Sequence, residues 1–332
     1  MIREVLKTLI GPFILLLCFG LTGIAATPLR ASSDDLCETP LPPVSEGPGS
    51  LKDSFVNVGT LRVHYVEGGA GQTVVLIHGN AGGVEDFEFG TINDLTRRYR
   101  VIAIDRPGHG ASDRPDKMAT PVEDQADLLH ETLTTLGVKR PILVGHSWGA
   151  AVALAYVLKY PNDASAMVLL APAAYADKDD PASFFLRGVA KLFPVGELLP
   201  LLGHSIISKS LLRKELERAF YPSKVPEKYF KVASDSWLGK KQIKAYYDDE
   251  TGLNAGLNKI QDQYSSITIP TVILTGDEDK VVSAKENAYR LHKVIRHSRL
   301  IQLRHTGHQI PETRPESIYY ALRLLPPSGV RP

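Results

Sequence analysis

Residues 145–149 of this chain read Gly-His-Ser-Trp-Gly, a spacing of serine between two glycines that suits a nucleophile. The pattern follows the apolar run Ile142–Val144, a predicted strand, and precedes the helix-like stretch Ala150–Lys159. A reactive serine on such a sharp turn needs glycine-sized neighbours two residues away on each side, and this stretch has them. The pattern therefore predicts that Ser147 is a nucleophile; the alternative is a structural serine in a turn.

A serine hydroxyl is a weak nucleophile at neutral pH and needs a base that is itself oriented by a third group. Acidic side chains follow the apolar run Thr271–Leu274; they are Asp277, Glu278 and Asp279. Histidines follow the apolar run Leu300–Leu303; they are His305 and His308. The order serine, acid, histidine along the chain is typical of one kind of parallel sheet. These residues favour acyl transfer by an activated serine, with more than one candidate for the acid and for the base.

Elements that could position these side chains are indicated by short apolar runs that alternate with helical patterns. The predicted strands are Thr73–Ile77, Val101–Asp105, Ile142–Val144, Met167–Leu170, Thr271–Leu274 and Leu300–Leu303. One helix start is marked by Thr120, Pro121 and Glu123, which supply a capping residue, a first-turn proline and a capping-box acid. Unbroken apolar strands between helices predict an α/β fold with a mostly parallel sheet covered on both faces.

The alternation stops between Ala173 and Ser266, where Phe184–Phe193 and Leu211–Phe220 have helical patterns. About ninety residues without a strand are too many for a simple loop in a compact domain. We therefore expect a helical cap over residues 173–266, inserted into a core formed by residues 55–172 and 267–332. Its apolar side chains suggest a ceiling over a pocket, although apolar residues at helical spacing more often form the core of such a cap; they are Phe184, Phe185, Leu192, Phe193, Leu199, Leu201 and Leu202.

The first 29 residues differ from the rest, because Arg3 and Lys7 precede the uncharged stretch Thr8–Leu29. This pattern predicts either a signal peptide cleaved near Gly23–Ala26 or an uncleaved membrane anchor. Both alternatives place the remainder of the chain outside the cytoplasm, in a periplasmic, secreted or membrane-anchored form. Residues 30–54 are rich in Pro, Ser, Gly and Asp and predict a flexible tether, so that the folded domain begins near Phe55.

Composition excludes several classes of function. The 38 Lys plus Arg residues nearly balance the 37 Asp plus Glu residues of the 332-residue chain, and no basic run stands out, which argues against a nucleic-acid partner. Cys18 and Cys37 both precede the predicted domain, so it contains no disulfide or cysteine metal site. The ten histidines form no metal-binding motif, and no glycine-rich dinucleotide fingerprint follows the first strong strand, so no cofactor is expected.

Five sequence stretches together resemble the α/β-hydrolase fold superfamily, especially its capped branch of esterases, haloperoxidase-like enzymes and carbon–carbon hydrolases. The resemblance covers roughly residues 55–325. The matching stretches are HGN at 78–80, DRPGHGASDRP at 105–115, GHSWGA at 145–150, GDEDKVV at 276–282 and GHQIPETRP at 307–315.

The resemblance implies a role for several residues. It selects Asp279 over Asp277 as the acid and His308 over His305 as the base. It also implies that the backbone N–H groups of Asn80 and Trp148 form an oxyanion hole, although residues 80–83 could be only a glycine-rich connector. In the stretch 105–112 it implies a structural turn in which Gly108 and Gly110 allow tight backbone geometry and His109 has no catalytic role.

These observations predict a serine hydrolase that cleaves a small or medium hydrophobic ester. Haloalkane dehalogenases share Asn and Trp at the positions of Asn80 and Trp148, but they attack with Asp, and a serine in that displacement would form a stable ether. A carbon–carbon hydrolase, a perhydrolase or an acyltransferase would use the same three catalytic residues. Outside the enzymes, a small-molecule binding protein on this fold is the remaining alternative.

Overall fold

The computed structural model describes residues 29–31, 51–88, 90–115, 121–176 and 206–326. Its centre is one sheet in the order β1-β9-β8-β7-β6-β4-β5-β3-β2. The strands are β1 (Leu29–Ala31), β2 (Lys52–Val58), β3 (Leu61–Gly68), β4 (Thr73–Ile77), β5 (Arg100–Ile104), β6 (Ile142–His146), β7 (Ala166–Leu170), β8 (Thr271–Gly276) and β9 (Ser298–Leu303). The pairs β2–β3 and β3–β5 are antiparallel and the other six pairs are parallel, so the predicted α/β class with a mostly parallel sheet is confirmed.

Helices cover both faces of this sheet. They are α1 (Glu85–Glu88), α2 (Thr91–Leu95), α3 (Pro121–Thr135), α4 (Trp148–Lys159), α5 (Ile206–Phe220), α6 (Glu227–Trp237), α7 (Lys240–Ile260), α8 (Arg290–Val294), α9 (Ile310–Thr313) and α10 (Pro315–Arg323), with a 3₁₀ turn at Gln261–Ser266 and a π-helical turn at Lys285–Tyr289. One apolar core lies between the sheet and α3 and α4, and a second lies between the sheet and α2 and α10. Burial on both faces explains why β6 and β7 read as unbroken apolar runs.

The predicted tether at residues 30–54 is wrong at both ends. Arg30 and Ala31 belong to β1, which pairs with β9, and β2 begins at Lys52 rather than near Phe55. Strand β2 is at the edge of the sheet and exposes alternate residues, so it lacks the apolar run that marked the inner strands. Strand β1 is too short, with three residues, to produce a sequence pattern.

Helices α5, α6 and α7 lie in the chain between β7 and β8, and we call them the inserted helices. Helix α5 includes the helical stretch predicted at Leu211–Phe220. A separate apolar cluster joins α5 to α6; its buried members are Leu212, Leu216, Phe220, Tyr229, Ala233, Trp237 and Leu238. The stretch Phe184–Phe193 and all seven residues of the predicted apolar ceiling lie outside the described residues.

The predicted signal peptide or anchor also falls on residues that the structure does not describe, apart from Leu29. Within the described ranges, no helix combines the length and the apolar composition needed to cross a membrane.

Candidate active site

Ser147 lies on the turn between β6 and α4 with φ 51° and ψ −114°, in the left-handed region that few non-glycine residues adopt. A Cβ atom on Gly145 would come within 2.6 Å of the carbonyl oxygen of Gly149. A Cβ atom on Gly149 would collide with the carbonyl oxygen of Ile77 in β4. Both glycines are therefore required by close backbone approach, as their spacing around the serine predicted.

The structure brings Ser147, His308 and Asp279 into one hydrogen-bonded chain. Nε2 of His308 lies 2.9 Å from Oγ of Ser147, and Nδ1 lies 2.8 Å from Oδ2 of Asp279. The three residues follow β6, β9 and β8, whose carboxyl ends meet at one edge of the sheet, where ligands bind in folds of this kind. This is the arrangement in which a histidine can remove the serine proton.

The charge of Asp279 is set by competing effects. Burial alone would raise the pKa of its carboxyl group, but attraction to His308, the His308 hydrogen bond and two backbone donors together hold the pKa below its usual value. Those backbone donors are the N–H groups of Val281 and Val282, 2.7 and 2.9 Å from Oδ1. An ionised Asp279 accepts a hydrogen bond from Nδ1–H, which leaves Nε2 of His308 as the acceptor facing Ser147.

The other candidates for acid and base lie apart from this chain. Oδ1 of Asp277 accepts a hydrogen bond from the N–H of Thr306 at 3.3 Å. The side chain of His305 is 88% exposed and its Nδ1 lies 3.1 Å from Glu278. The structure thus brings Asp279 and His308 to the serine and leaves Asp277 and His305 in the surrounding loops.

The predicted oxyanion donors lie beside the same cavity as the serine. Asn80 follows β4, Trp148 is the first residue of α4, and both line the same cavity as Ser147. The N–H of a first helical residue has no acceptor within its helix, and among the described residues the N–H of Asn80 has no backbone acceptor. Both groups are therefore available to a ligand in the cavity.

The side chains of these two residues are held by helix α7. Nδ2 of Asn80 donates to Oε2 of Glu250 at 2.9 Å and to the carbonyl of Tyr246 at 3.3 Å. Nε1 of Trp148 donates to the carbonyl of Asp249 at 3.3 Å. Sequence analysis missed these contacts, because no spacing rule links a loop after a strand to a helix about 170 residues later.

Asp105 anchors the far end of the loop that carries Asn80. Oδ1 of Asp105 accepts a hydrogen bond from the N–H of Val84 at 2.8 Å, and Oδ2 accepts one from Ala111 at 2.9 Å. Nδ1 of His64 lies 2.7 Å from the same Oδ2. The hydrogen bond with Asp105 raises the pKa of His64, with burial opposing it and the charges of Asp105 and Asp53 adding to it.

The stretch 105–112 forms the tight turn that was predicted, with φ 83° at Gly108 and 50° at Gly110. His109 is fully buried, and its Nε2 lies 3.1 Å from Oδ2 of Asp249 rather than near Ser147. Arg106 and Asp249, which sequence analysis did not single out, form a buried ion pair at 2.6 Å. Neither residue stood out in the sequence, because Arg106 directly follows Asp105 and Asp249 lies between Asp248 and Glu250.

A cavity of about 780 Å³ opens beside Ser147 and His308. Apolar side chains of the inserted helices form much of its wall; they are Leu212, Leu216, Leu238, Ile243, Leu253 and Leu257. Such a volume is typical of sites for small molecules. Within the described ranges, no group of three or more His, Cys, Asp or Glu side chains is arranged to hold a metal ion.

One polar patch interrupts this wall. The hydroxyl of Tyr229 donates to Oδ1 of Asp86 at 2.7 Å, and Nε2 of Gln309 donates to the Tyr229 oxygen at 2.7 Å. Burial raises the pKa of Asp86 well above its usual value, and repulsion from Glu85 adds to this. The patch was not predicted, because Asp86 belongs to a four-residue helix without a recognisable motif.

The family model described as the alpha/beta hydrolase fold matches residues 72–315. Among curated relatives, an uncharacterized hydrolase of Bacillus subtilis, YugF, is 28% identical over 77% of this chain and 89% of its own length. A putative non-heme chloroperoxidase of Synechocystis is 30% identical over 74% of this chain and 87% of its own length. Among solved structures, a 2-hydroxy-6-oxo-6-phenylhexa-2,4-dienoate hydrolase from Rhodococcus is similar with a TM-score of 0.69 and 18% identity, covering 83% of this chain and 98% of that one.

Proposed function

The chain belongs to the α/β-hydrolase fold family, and from this premise we propose that it is a serine hydrolase of carboxylic esters. The observation that carries the proposal is the hydrogen-bonded chain from Oγ of Ser147 through His308 to Asp279, at 2.9 and 2.8 Å. A histidine in that position can act as base and then as acid in one reaction cycle.

In the proposed mechanism, Nε2 of His308 takes the proton of Ser147 as Oγ attacks the ester carbonyl carbon. The backbone N–H groups of Asn80 and Trp148 donate hydrogen bonds to the resulting oxyanion, each contributing about 3 kcal/mol to its stabilisation. His308 then gives its proton to the departing alcohol, which leaves an ester on Ser147. His308 then deprotonates a water molecule that attacks the acyl carbon, and it returns the proton to Oγ of Ser147 as the acid leaves. Asp279 stabilises the charged imidazolium throughout.

The substrate class is inferred from the cavity. The apolar side chains of the inserted helices favour a hydrophobic acyl or alcohol group, and about 780 Å³ accommodates a small or medium ester. In this proposal the inserted helices act as a cap over Ser147.

Activity-based labelling tests the nucleophile. A fluorophosphonate probe would be mapped by mass spectrometry on the full-length protein, with heat-denatured protein and Ser147→Ala as controls. We expect a single label, on Ser147 of the native protein. A folded protein that takes up no label would contradict the proposal and favour a small-molecule binding protein on the same fold.

A panel of p-nitrophenyl esters with acyl chains from acetate to dodecanoate tests the substrate class. We expect kcat/KM to rise with chain length and to fall once the chain exceeds the cavity, because each buried CH₂ contributes about 0.8 kcal/mol. Equal kcat/KM across the panel would exclude recognition by the apolar wall. Leu216→Ala should lower kcat/KM for the preferred chain more than for acetate.

A second candidate function is perhydrolysis, which the similarity to the putative chloroperoxidase supports. Hydrogen peroxide would replace water, attack the acyl group on Ser147 and leave as a peracid. Perhydrolysis would be established if the wild type forms peracid from acetate and hydrogen peroxide and Ser147→Ala does not. Ester hydrolysis unaffected by millimolar peroxide, without peracid, would eliminate it.

We also propose that the protein is exported, since Arg3 and Lys7 precede the uncharged stretch Thr8–Leu29. Mass measurement of the protein isolated from its native cell distinguishes the two forms. An N-terminus near Thr27 would support a cleaved signal, an intact N-terminus in the membrane fraction would support an anchor, and intact cytosolic protein would contradict export.

A further inference from the structure

Arg106 is a buried cation between the loop after β4 and helix α7, with 3% of its side chain exposed. Its guanidinium donates from Nη2 to the carbonyl of Gly79 at 2.9 Å and from Nε to the carbonyl of His78 at 3.1 Å. Its Nη1 donates to Oδ2 of Asp249 at 2.6 Å. One planar group thus joins the inserted helices to the backbone that leads into Asn80.

The carbonyl of Gly79 and the N–H of Asn80 belong to the same peptide unit. In a planar trans peptide these two groups point in opposite directions, so fixing the carbonyl fixes the N–H. The backbone N–H of Arg106 donates to Nε2 of His78 at 2.9 Å, which leaves Nδ1–H of that ring to donate to the Gly79 carbonyl at 2.8 Å. Two donors, one of them charged, therefore hold the carbonyl and direct the Asn80 N–H away from them.

The guanidinium also contacts the second predicted oxyanion residue. Its central carbon lies 4.3 Å from the centre of the Trp148 ring, while the indole N–H donates to the carbonyl of Asp249. Arg106 thus contacts Trp148 and the peptide unit that carries the Asn80 N–H, and Asp249 contacts both Arg106 and Trp148, although neither Arg106 nor Asp249 lines the cavity. A charged donor on a peptide carbonyl also polarises the N–H at its other end and strengthens the bond that it donates.

We propose that Arg106, held in place by Asp249, is a positioning residue that sets the direction and donor strength of the Asn80 N–H. The inference rests on the proposed acyl-transfer function, because only that chemistry requires an oxyanion hole. It makes the docking of helix α7 a condition for a competent hole: without Asp249 the guanidinium loses the partner that holds it against the Gly79 carbonyl.

The chain provides a matched control for the loss of a buried ion pair. Nη2 of Arg114 lies 2.8 Å from Oδ1 of Asp249, but its Nη1 donates to the carbonyl of Pro107, away from the loop that carries Asn80. Arg114→Met removes a charge partner of the same carboxylate and leaves the Gly79 carbonyl untouched. Arg106→Met removes a charge partner of Asp249 and also the hydrogen bond to the Gly79 carbonyl.

The test uses p-nitrophenyl trimethylacetate labelled with ¹³C at the carbonyl, whose bulky acyl group is released slowly from serine. Thermal unfolding and active-site titration give the folded, reactive fraction of each variant. Stopped flow separates the substrate Kd from the acylation rate constant, and difference infrared spectra give the stretching frequency of the acyl carbonyl, which falls as its hydrogen bonds strengthen.

For Arg106→Met we expect acylation about 10²-fold slower than in the wild type, a Kd changed less than about threefold, and a carbonyl stretch at higher frequency. Arg114→Met should melt at a lower temperature but acylate within about threefold of the wild type. Arg106→Lys should recover only part of the rate, since one ammonium cannot span Asp249 and both carbonyls.

Equal acylation rates and equal carbonyl frequencies in Arg106→Met and Arg114→Met would overturn the inference. If Arg106→Met does not fold, Arg106→Lys decides: wild-type rate and frequency overturn the inference, and a slower rate with a higher frequency supports it. A wild-type protein that forms no acyl-enzyme with any ester of the panel would instead refute the proposed function, a result separate from any difference between variants.

Discussion

The inserted helices reach the two sides of Ser147 in different ways. On the base side, formed by His308 and Asp279, the N–H of His308 itself donates to the carbonyl of Ala219 in α5 at 3.0 Å, and side chains of the inserted helices contact the neighbouring residues Lys280 and Gln309. On the oxyanion side, formed by Asn80 and Trp148, helix α7 contributes the side chains of Asp249 and Glu250. A main-chain contact tolerates most substitutions, whereas paired side chains must match, so the oxyanion side is the more sensitive to changes in the inserted helices.

The largest effect should come from Asp279→Asn on the base side. The amide lacks the charge that stabilises the imidazolium and favours the wrong tautomer of His308, so we expect kcat to fall about 10⁴-fold with the fold intact. Ester hydrolysis and thermal unfolding, measured on the same preparation, check both parts. A loss of less than about tenfold would mean that the base side works without its acid.

A smaller effect is expected on the oxyanion side from Asn80→Ala. The substitution keeps the backbone N–H but removes the hydrogen bonds to Glu250 and Tyr246. Since a bond to a charged group contributes about 1.5–3 kcal/mol, we expect kcat to fall about tenfold or somewhat more. Ala219→Ser, which keeps the main-chain contact of the base side, is the matched control and should stay within about twofold. Equal losses in the two variants would remove the distinction between side-chain and main-chain contacts.

The two sides should also respond to pH in opposite directions. The pKa of His64 is raised above 6.5, so its contribution to stability is complete below pH 6.5 and is lost as the pH rises through its folded-state pKa. The pKa of Asp279 is lowered below 3.8, so its contribution is complete above that value and is lost as the pH falls through its folded-state pKa.

Melting temperatures from pH 3 to 9 test this contrast. The difference between wild type and His64→Gln should be a few degrees near pH 5.5 and should shrink by pH 9, because 1 kcal/mol corresponds to about 2–4 °C in a domain of this size. A difference that grows towards pH 9 would show that His64 is neutral in the folded protein. At the acidic end of the range, the melting temperature of the wild type is compared with that of Asp279→Asn.

The smallest effects belong to the candidates that the structure leaves outside the triad. Asp277→Asn and His305→Gln should keep kcat/KM within about twofold, because one is a loop acceptor and the other is solvent-exposed. A loss of tenfold or more in either variant would mean that the loops after β8 and β9 contribute another residue to catalysis besides Asp279 and His308.

What could be predicted from the sequence differs between features with a local sequence pattern and contacts between distant segments. Six of the seven inner strands, β4 to β9, were accessible from the sequence, because two-sided burial produces unbroken apolar runs. Ser147, Asp279 and His308 were accessible because each lies in the turn or loop that follows one of these runs. Strand β2 was missed because an edge strand is only half covered, and β3 was missed because charged and polar residues interrupt its apolar positions. The pairing of Arg106 with Asp249 joins positions 143 residues apart through a helical insertion, and nothing in the local pattern of either segment specifies its partner.

The positive φ of Ser147 also limits which chemistries single substitutions can reach. Threonine carries a hydroxyl but is β-branched, and a β-branched residue at φ 51° is a genuine outlier, so this turn excludes the closest chemical relative of serine. Aspartate and cysteine, like serine, carry no branch at Cβ. The backbone conformation, rather than the reaction, thus limits which nucleophiles can replace Ser147. Ser147→Asp, which would change the chemistry, strains the turn less than Ser147→Thr, which keeps a hydroxyl.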